Sequence, residues 1–226
     1  MPRISRIVAL NLPHHIIQRG NYRQNVFAHD SDRKKYLKFI AYYSKKYYLE
    51  IVSYCLMDNH VHFIVIPKAE DSLAKTFSIS HTLYSRYYNN KNGLSGHLWQ
   101  GRFYSCILDE KHLIAAARYI ERNPVRAKIV KAPIEYTWSS AKSHANMSGI
   151  NIIDTSALFK YIVISPRDWQ EFISGYDDHG EILSIRKSTM TGRPLGSEHF
   201  IDNLKKMFGQ KVRAMPVGRP KKSNGK

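Results

Sequence analysis

The chain has 226 residues, and its 35 Lys and Arg residues outnumber its 18 Asp and Glu residues, which gives a formal net charge of +17 at pH 7. This charge favours a polyanionic partner, with nucleic acid as the first candidate, over the alternative of a generally solvated basic surface. The two cysteines, Cys55 and Cys106, are too few for a disulfide framework or a zinc knuckle, and no apolar stretch approaches the ~20 residues that cross a bilayer.

Strand and helix patterns alternate along the first 125 residues. A short apolar run predicts the first strand, and Asp30 and Asp32 predict where the first helix begins, because acidic groups favour the positive end of a helix dipole. Two further apolar runs are separated by the turn signal Asp58-Asn59 and predict a hairpin. The predicted strands cover 14–18, 51–57, 61–66 and 103–108, and the predicted helices cover 30–43, 71–87 and 111–122.

The order strand, helix, strand, strand, helix, strand is that of a ferredoxin-like split βαβ fold. We therefore expect an α+β protein with an antiparallel sheet, helices on one face, and a basic C-terminal extension. The third helix should end before Pro124, because proline disfavours helical backbone in the residue that precedes it. The predicted organisation is a main domain over residues 1–145, a segment over 146–185 that packs on it, and a tail over 186–226.

Two histidines at the start of the second hairpin strand, His60 and His62, outline a candidate metal site. Residues i and i+2 of a strand point to the same face, so both imidazoles should emerge on one side of the sheet. Tyr119 and Asn123 are four residues apart on a predicted helix and should also share a face. A divalent metal on the imidazoles and the asparagine oxygen could polarise a phosphate for attack by the tyrosine hydroxyl. The alternatives are an incidental histidine pair, a core-facing tyrosine and an asparagine that caps the helix.

The tail contains two Gly-Arg-Pro triplets, centred on Arg193 and Arg219, and no acidic residue after Asp202. This composition predicts a segment that is partly flexible and binds DNA. Residues 216–222 resemble an AT-hook, in which an arginine enters a narrow minor groove. The alternative is a basic tail with no special role.

Several motifs resemble one family of DNA-cleaving enzymes. Residues 59–65 (NHVHFIV) resemble the HUH motif of single-tyrosine transposases, and residues 119–127 (YIERNPVRA) resemble the tyrosine helix of the branch called REP-associated tyrosine transposases. Three further segments are similar to that branch and occur in the same order: 18–23 (QRGNYR), 98–103 (LWQGRF) and 136–140 (YTWSS). The resemblance covers roughly residues 10–145 and implies an HUH endonuclease type of fold for the main domain.

The resemblance implies a metal-dependent tyrosine DNA endonuclease and strand transferase that acts on hairpin-flanked single-stranded DNA of the repetitive extragenic palindrome type. Tyr119 would attack a phosphodiester, form a 5′-phosphotyrosine and release a 3′-hydroxyl, and reversal would join strands. His60, His62 and Asn123 would bind Mg²⁺ or Mn²⁺, although many insertion-sequence relatives have glutamine or histidine in place of the shorter asparagine. The predicted DNA-binding residues are Arg19, Asn21, Arg23, Arg102, Arg193, Arg219, Lys221 and Lys222.

Two other functions fit the same residues. The first is a regulatory or architectural DNA-binding protein without cleavage activity, and the second is a metal-dependent hydrolase in which Tyr119 is incidental. Asp58 is the only acidic residue near the histidines in sequence, which weakens the hydrolase. We expect a monomer, with a dimer as the alternative, in a cytoplasmic and nucleoid-associated location.

Overall fold

The computed structural model describes residues 6–147 and 152–212. Within these ranges the chain forms four β-strands and nine α-helices. The strands are β1 (His14–Arg19), β2 (Leu49–Met57), β3 (His60–Pro67) and β4 (Tyr104–Ile107). The helices are α1 (Asp30–Lys46), α2 (Ser72–Asn92), α3 (Glu110–Glu121), α4 (Asn123–Arg126), α5 (Ala141–His144), α6 (Leu158–Tyr161), α7 (Pro166–Ser174), α8 (His179–Thr191) and α9 (Glu198–Phe208), and 3₁₀ turns lie at Asn21–Arg23, Pro133–Glu135 and Gly209–Val212.

The four strands form one sheet in the order β2-β3-β1-β4, and each neighbouring pair is antiparallel. The predicted α+β fold with a ferredoxin-like sheet is confirmed. The hairpin between β2 and β3 turns at Asp58 and Asn59 as predicted. On β3, His62 lies opposite Ile17 of β1 and Cys55 of β2, so this histidine sits in the middle of the sheet.

Helices α1 and α2 cover one face of the sheet. The Phe63 ring of β3 packs against Tyr36 of α1 and Phe77 of α2, with ring centroids 6.3 Å and 5.6 Å apart. Helix α1 begins at the predicted residue because the buried Asp32 carboxylate accepts hydrogen bonds from the backbone N–H groups of Ala28 and His29, at 3.1 Å and 2.9 Å. The apolar residues of this layer belong to the larger of two core clusters in the described residues.

Helices α3 and α8 lie on the opposite face, so the sheet carries helices on both faces and not on one face as expected. His62 precedes Phe63 on β3, and successive residues of a strand point to opposite faces of the sheet. The His62 side chain therefore points away from α1 and α2, and its ring contacts Tyr119 of α3. Helix α8 packs along β4 and β1. The tyrosine helix and α8 therefore enclose the histidine face of the sheet.

The segment that follows α4 closes the open edge of the sheet. The Leu56 backbone N–H donates to the Trp138 carbonyl at 2.8 Å, and the Ser140 N–H donates to the Tyr54 carbonyl at 3.0 Å. Buried Glu121 accepts hydrogen bonds from Ser140 at 2.5 Å and from the Trp169 indole of α7 at 2.9 Å. These bonds join α3, the closing segment and α7 into one packed unit.

Part of the segment predicted as a basic, partly flexible tail is helical, over residues 186–191 and 198–208. Helix α8 continues to Thr191, and α9 follows it and buries Leu204 beside Ile107 and Val212 in a second, smaller core. The basic composition concealed helical spacing of apolar residues, because the cations lie on the solvent side of these helices while Leu204 faces inward. Residues 213–226, with Arg219, Lys221, Lys222 and the AT-hook-like segment, lie outside the described residues.

No helix within residues 6–147 and 152–212 is long and apolar enough to span a membrane.

Candidate active site

The histidine face of the sheet brings the two motif histidines and the motif tyrosine together. The His60 and His62 ring centroids are 4.9 Å apart, and the His62 centroid is 5.7 Å from that of Tyr119. His62 and Tyr119 are buried, while His60 at the end of the hairpin is half-buried. A strand and a helix far apart in sequence thus place a candidate nucleophile next to two imidazoles.

Both motif histidines make a hydrogen bond through Nδ1. The His60 Nδ1 lies 2.6 Å from the Asn59 side-chain oxygen, and the His62 Nδ1 lies 3.0 Å from His15 Nε2. The His15 Nδ1 in turn lies 2.8 Å from the Thr189 hydroxyl of α8. Because Nδ1 of each motif histidine is occupied, Nε2 is the nitrogen left to bind a metal.

Burial keeps these imidazoles neutral at neutral pH. Burial and, to a smaller extent, the Arg19 charge together lower the pKa of His60 to about 4. The pKa of His62 is held well below its ordinary value by burial and by the neighbouring His60 and His15. A neutral imidazole is the form that binds a metal ion, so the site is poised for a cation without prior loss of a proton.

Two arginines contact Tyr119. The Arg186 Nε of α8 donates to the Tyr119 hydroxyl at 3.3 Å, and the Arg126 guanidinium carbon lies 4.2 Å from the centre of the tyrosine ring. Arg126 also donates to the Tyr119 backbone carbonyl and forms an ion pair with Asp177 at 3.3 Å. These two positive charges next to the tyrosine would stabilise a phenolate or a phosphate ester at its hydroxyl.

Asn123 lies at the first position of α4, not in a continuation of the tyrosine helix. Helix α3 ends at Glu121, and Pro124 occupies the first turn of the new helix, where its missing N–H costs nothing. The expected i, i+4 relation within one helix is therefore replaced by a short break between two helices. Asn123 is 8% exposed, and its side-chain nitrogen is buried without a hydrogen-bond partner.

The donor set at this site fits a divalent cation. Within residues 6–147 and 152–212, no three side chains of His, Cys, Asp or Glu form a metal site by themselves, so His60 and His62 need oxygen ligands from elsewhere. The Asn123 amide can supply one: rotated by half a turn, it places its oxygen where the unpartnered nitrogen stands. Two imidazoles, an amide oxygen and DNA phosphate oxygens form a ligand set that suits Mn²⁺. The same site suits Mg²⁺ if water molecules supply more of the ligands.

Two sequence motifs that are 80 residues apart meet beside the histidines. Gly20 pairs with Trp99 in an antiparallel bridge, the Asn21 N–H donates to the Leu98 carbonyl at 2.8 Å, and the Gly20 N–H donates to the Asn59 carbonyl at 2.8 Å. A Cβ on Gly20 would lie 2.4 Å from the Gln24 carbonyl oxygen, so this close approach requires glycine. The turn holds Arg23 at the surface next to the HUH-like motif.

The predicted DNA-binding residues fall into two groups. Arg19, Asn21, Arg23 and Arg102 surround the junction between β1 and the 98–103 segment, with Arg23 and Arg102 exposed and the other two half-buried. Arg193 lies in the turn after α8, half-buried, and its carbonyl accepts from the Cys106 thiol at 2.9 Å. The structure thus clusters the first group and places Arg193 apart from it.

A groove of about 720 Å³ runs along α2 beside the same junction. Hydroxyl and amide side chains of α2 line one wall, and His97 and Arg102 line the other. No acidic side chain is among the described residues that line the groove. Hydroxyls, amides and cations are the groups that contact DNA phosphates. The hydroxyl, amide and guanidinium side chains that α2 contributes to the groove are Ser78, Thr82, Ser85, Arg86 and Asn89.

Four residues of the site have no counterpart among the sequence predictions. His15, Arg186 and Thr189 reach the site from β1 and α8, and Arg126 lies in the quoted tyrosine motif without an assigned role. His15 gave no signal because it follows His14 in a short strand and belongs to no recognised motif. Arg186 and Thr189 were hidden in a segment that the basic composition assigned to a tail.

Comparison with known proteins relates the chain to transposases. The family model "Transposase IS200 like" matches residues 9–123, more than half of the chain. A solved structure of a REP-associated tyrosine transposase bound to a REP hairpin is similar at a TM-score of 0.53 and 19% identity, over 69% of this chain and 93% of that chain. A structure from Deinococcus radiodurans R1 that is described as a transposase has a TM-score of 0.37 at 19% identity, over 54% of this chain and 97% of that chain. No curated protein matches the chain in sequence.

Proposed function

Because the chain belongs to the IS200-like transposase family, we propose that it cleaves and rejoins single-stranded DNA through a covalent bond to Tyr119. The observation that carries this proposal is the convergence of His60, His62 and Tyr119 on one face of the sheet, with ring centroids 4.9 Å and 5.7 Å apart. A metal-binding pair next to a tyrosine hydroxyl is what attack on a phosphodiester needs. The hydrolase alternative uses the same histidines but gives no role to Tyr119.

The reaction is a phosphoryl transfer in two directions. The Tyr119 oxygen loses its proton and bonds to the phosphorus, the bond from phosphorus to the 3′ oxygen breaks, and that oxygen takes up a proton and leaves as a 3′-hydroxyl. Attack by a second 3′-hydroxyl on the phosphotyrosine reverses these steps and joins strands, so no nucleotide cofactor is consumed. Arg186, with its Nε 3.3 Å from the hydroxyl, stabilises the phenolate and the ester that replaces it.

His60, His62 and Asn123 would hold Mg²⁺ or Mn²⁺. Such a cation, when bound, polarises the phosphoryl oxygen and offsets charge that develops on it. The protein's contribution is to keep both imidazoles neutral by burial and to fix their direction through Asn59 and His15. The imidazoles then require no rearrangement as the nucleophile attacks.

We also propose that the substrate is a DNA hairpin flanked by single strands, of the repetitive extragenic palindrome type. The junction residues Arg19, Asn21, Arg23 and Arg102 and the groove along α2 supply cations and hydroxyls for the phosphates of such a structure. The similar solved structure is bound to a REP hairpin. On this model a monomer suffices, because Tyr119 and both histidines come from the same chain.

A second candidate function is a DNA-binding regulator that does not cleave. The observation in its favour is the burial of Tyr119, which is 5% exposed beneath Arg186 and α8. As a regulator, the chain would bind DNA through the same junction and groove, but Tyr119 would form no covalent bond to the DNA.

A covalent-adduct assay separates the two functions. Hairpin DNA with single-stranded flanks, labelled at its 3′ end, is incubated with full-length protein and Mn²⁺ and run on a denaturing gel. A labelled band at the mass of protein plus DNA is expected, because a 5′-phosphotyrosine retains the strand on the 3′ side of the nick. Adduct with 5′-labelled DNA would reverse the assigned polarity, and tight binding without any adduct would favour the regulator.

A further inference from the structure

A chain of hydrogen bonds links the candidate metal site to the C-terminal helix α8. It runs from His62 of β3 to His15 of β1 and on to Thr189 of α8, with heavy-atom distances of 3.0 Å and 2.8 Å. We propose that Thr189, acting through His15, is a positioning residue that fixes His62 as the Nδ1–H tautomer and so presents its Nε2 lone pair to the metal. The inference deepens the proposed function and rests on its metal site.

The Thr189 hydroxyl determines which group donates in each of these hydrogen bonds. This hydroxyl donates to the Ile185 backbone carbonyl at 2.8 Å, and a carbonyl can only accept. The single hydroxyl hydrogen is used in that bond, so the oxygen faces His15 with a lone pair. His15 must therefore donate from Nδ1 across the 2.8 Å contact.

The proton on His15 then sets the proton on His62. A neutral imidazole carries one N–H, so a His15 that donates from Nδ1 has an acceptor at Nε2. His62 donates from its own Nδ1 to that acceptor at 3.0 Å, and its Nε2 keeps a lone pair. Metals bind the lone pair of a neutral imidazole nitrogen, so this tautomer is competent to bind a metal.

The opposite arrangement would disable the site. If Thr189 donated to His15 instead, His15 would donate from Nε2, and the His62 proton would move to its own Nε2, where it would block a metal. A doubly protonated His15 would have the same effect, but it would place a charge at a fully buried position whose two described partners are a histidine and a threonine. Burying a charge without a carboxylate partner is unfavourable, so the arrangement with two neutral imidazoles is favoured.

His60 reaches the same tautomer by a local route. Its Nδ1 lies 2.6 Å from the Asn59 side-chain oxygen, and the Asn59 amide nitrogen donates to the Arg23 carbonyl at 3.2 Å. The second bond fixes which end of the amide faces the histidine, so His60 donates from Nδ1 and keeps Nε2 free. Asn59, the neighbour of His60 in sequence, thus sets the tautomer of one ligand. Thr189 of α8 sets the tautomer of His62 through His15, from which it is 174 positions away, so α8 is part of the metal site.

The test reads the tautomers directly in full-length, metal-free protein. Two-bond ¹⁵N–¹H correlation spectra of ¹⁵N-labelled protein report which imidazole nitrogen carries the proton, and a His62→Gln variant identifies the His62 signals. We expect wild-type His15 and His62 both to be protonated at Nδ1. Thr189→Val should move His62 toward the Nε2–H form, and Thr189→Ser should keep the wild-type pattern. Thr191→Val is the matched control, because Thr191 bonds a helix carbonyl in the same way but is exposed.

A second readout is the affinity for Mn²⁺ alone, measured by electron paramagnetic resonance without DNA. Thr189→Val should weaken binding by about 10–100-fold, the usual effect of removing an outer partner of a metal ligand, while Thr189→Ser and Thr191→Val should bind like wild type. A wild-type His62 protonated at Nε2 overturns the proposal even if Thr189→Val fails to fold. Unchanged tautomers and unchanged affinity in folded Thr189→Val also overturn it. Wild-type protein with the expected tautomers but no Mn²⁺ binding supports the hydrogen-bond chain and rejects the metal site of the proposed function.

Discussion

Arg186 donates a hydrogen bond to the Tyr119 hydroxyl at 3.3 Å, although the two residues are 67 positions apart in the chain. Helix α8 thereby supplies a cation to the one side chain that the proposed reaction uses as a nucleophile. Arg126 lies over the ring of the same tyrosine and is held by Asp177 at 3.3 Å, just before α8 begins. The end of the chain that its composition assigned to a tail thus supports the reaction centre in the core.

The Arg186 contact predicts a specific loss of rate. Arg186→Ala should slow cleavage by roughly 10–100-fold, because a hydrogen bond to a charged group contributes about 1.5–3 kcal/mol. Arg186→Lys should recover part of this loss, since it keeps the charge without the Nε geometry. The measurement is the single-turnover cleavage rate at saturating hairpin DNA. Lys187→Ala is the control, because it removes an exposed cation at the next position of α8. An Arg186→Ala rate equal to wild type would remove Arg186 from the mechanism.

The nucleophile is tested by removing one oxygen atom. Tyr119→Phe should abolish cleavage and adduct formation while hairpin affinity stays within about twofold, because the ring still packs against His62 and Arg126. Tyr176→Phe is the matched control, since the Tyr176 side chain is 98% exposed. Binding is followed by fluorescence anisotropy and cleavage on a denaturing gel. Cleavage by Tyr119→Phe at the wild-type rate would move the nucleophile elsewhere.

The parts of the site that sequence could predict are those encoded by neighbours in the chain. His60 and His62 alternate in a β-branched strand, so their shared face follows from local geometry, and Asp58-Asn59 marks the hairpin without any tertiary information. Pro124 correctly predicted where α3 ends, but not that a new helix begins there, because proline is also favoured in a first helical turn.

The remaining parts depend on contacts between distant segments. His15 follows His14 in the six-residue strand β1, and only the pairing of β1 with β3 brings it to His62. Arg186 and Thr189 reach the site because α8 docks across the sheet with Ile182 and Ile185 buried. The boundary predicted at residue 186 divides this helix, so its last turns were assigned to the basic tail. Tertiary packing, not local pattern, decided which residues surround Tyr119.

The metal ligands should differ in their contribution. His62→Ala should bring cleavage to background at any Mn²⁺ concentration, because it removes a buried imidazole in the middle of the site. Asn123→Ala should raise the Mn²⁺ concentration for half-maximal cleavage by roughly tenfold. This is the low end of the roughly 10–100-fold loss that follows removal of a group that supports a metal ligand. His179→Ala, an exposed histidine of α8, is the control. Wild-type cleavage that persists at full rate after chelation with excess EDTA would contradict the metal model.

The buried pair of Glu121 and His144 predicts a pH dependence of stability. Burial alone would lower the pKa of His144, but the Glu121 carboxylate 2.5 Å from Nδ1 and the Thr155 carbonyl 3.0 Å from Nε2 outweigh it, so this pKa is raised above 6.5. A group whose pKa is higher in the folded state stabilises the fold fully below its unfolded pKa. That contribution is lost as pH rises from about 6.5 through the folded pKa, at up to ~1.4 kcal/mol per pH unit.

Urea unfolding of wild type and His144→Gln between pH 5.5 and 8.5 measures this contribution. The difference in unfolding free energy should be largest at the acidic end and should shrink above pH 6.5. His199→Gln, which replaces an exposed histidine of α9, should show no such trend. A difference that grows with pH would mean that His144 is neutral in the folded protein.

Truncation after Val212 tests the role of the remaining basic residues in DNA binding. Residues 213–226 carry Arg213, Arg219, Lys221, Lys222 and Lys226 and no acid. Each phosphate that these cations neutralise steepens the dependence of log affinity on log salt by roughly 0.9 on duplex DNA and ~0.7 on single strands. Removal of residues 213–226 should therefore flatten the salt slope and weaken binding to all sequences about equally.

The cleavage position on a hairpin should be the same with and without residues 213–226, because His60, His62 and Tyr119 lie in the described core.

A longer truncation, from residue 186 to the end, should have a different effect from removal of residues 213–226. It removes Arg186, Thr189 and Leu204, so it should destabilise the fold and abolish cleavage rather than only lower affinity. Salt slopes, thermal unfolding and cleavage mapping of the three proteins distinguish these effects. A shifted cleavage position after removal of 213–226 would make that segment part of site selection, and an unchanged salt slope would show that its cations do not contact DNA.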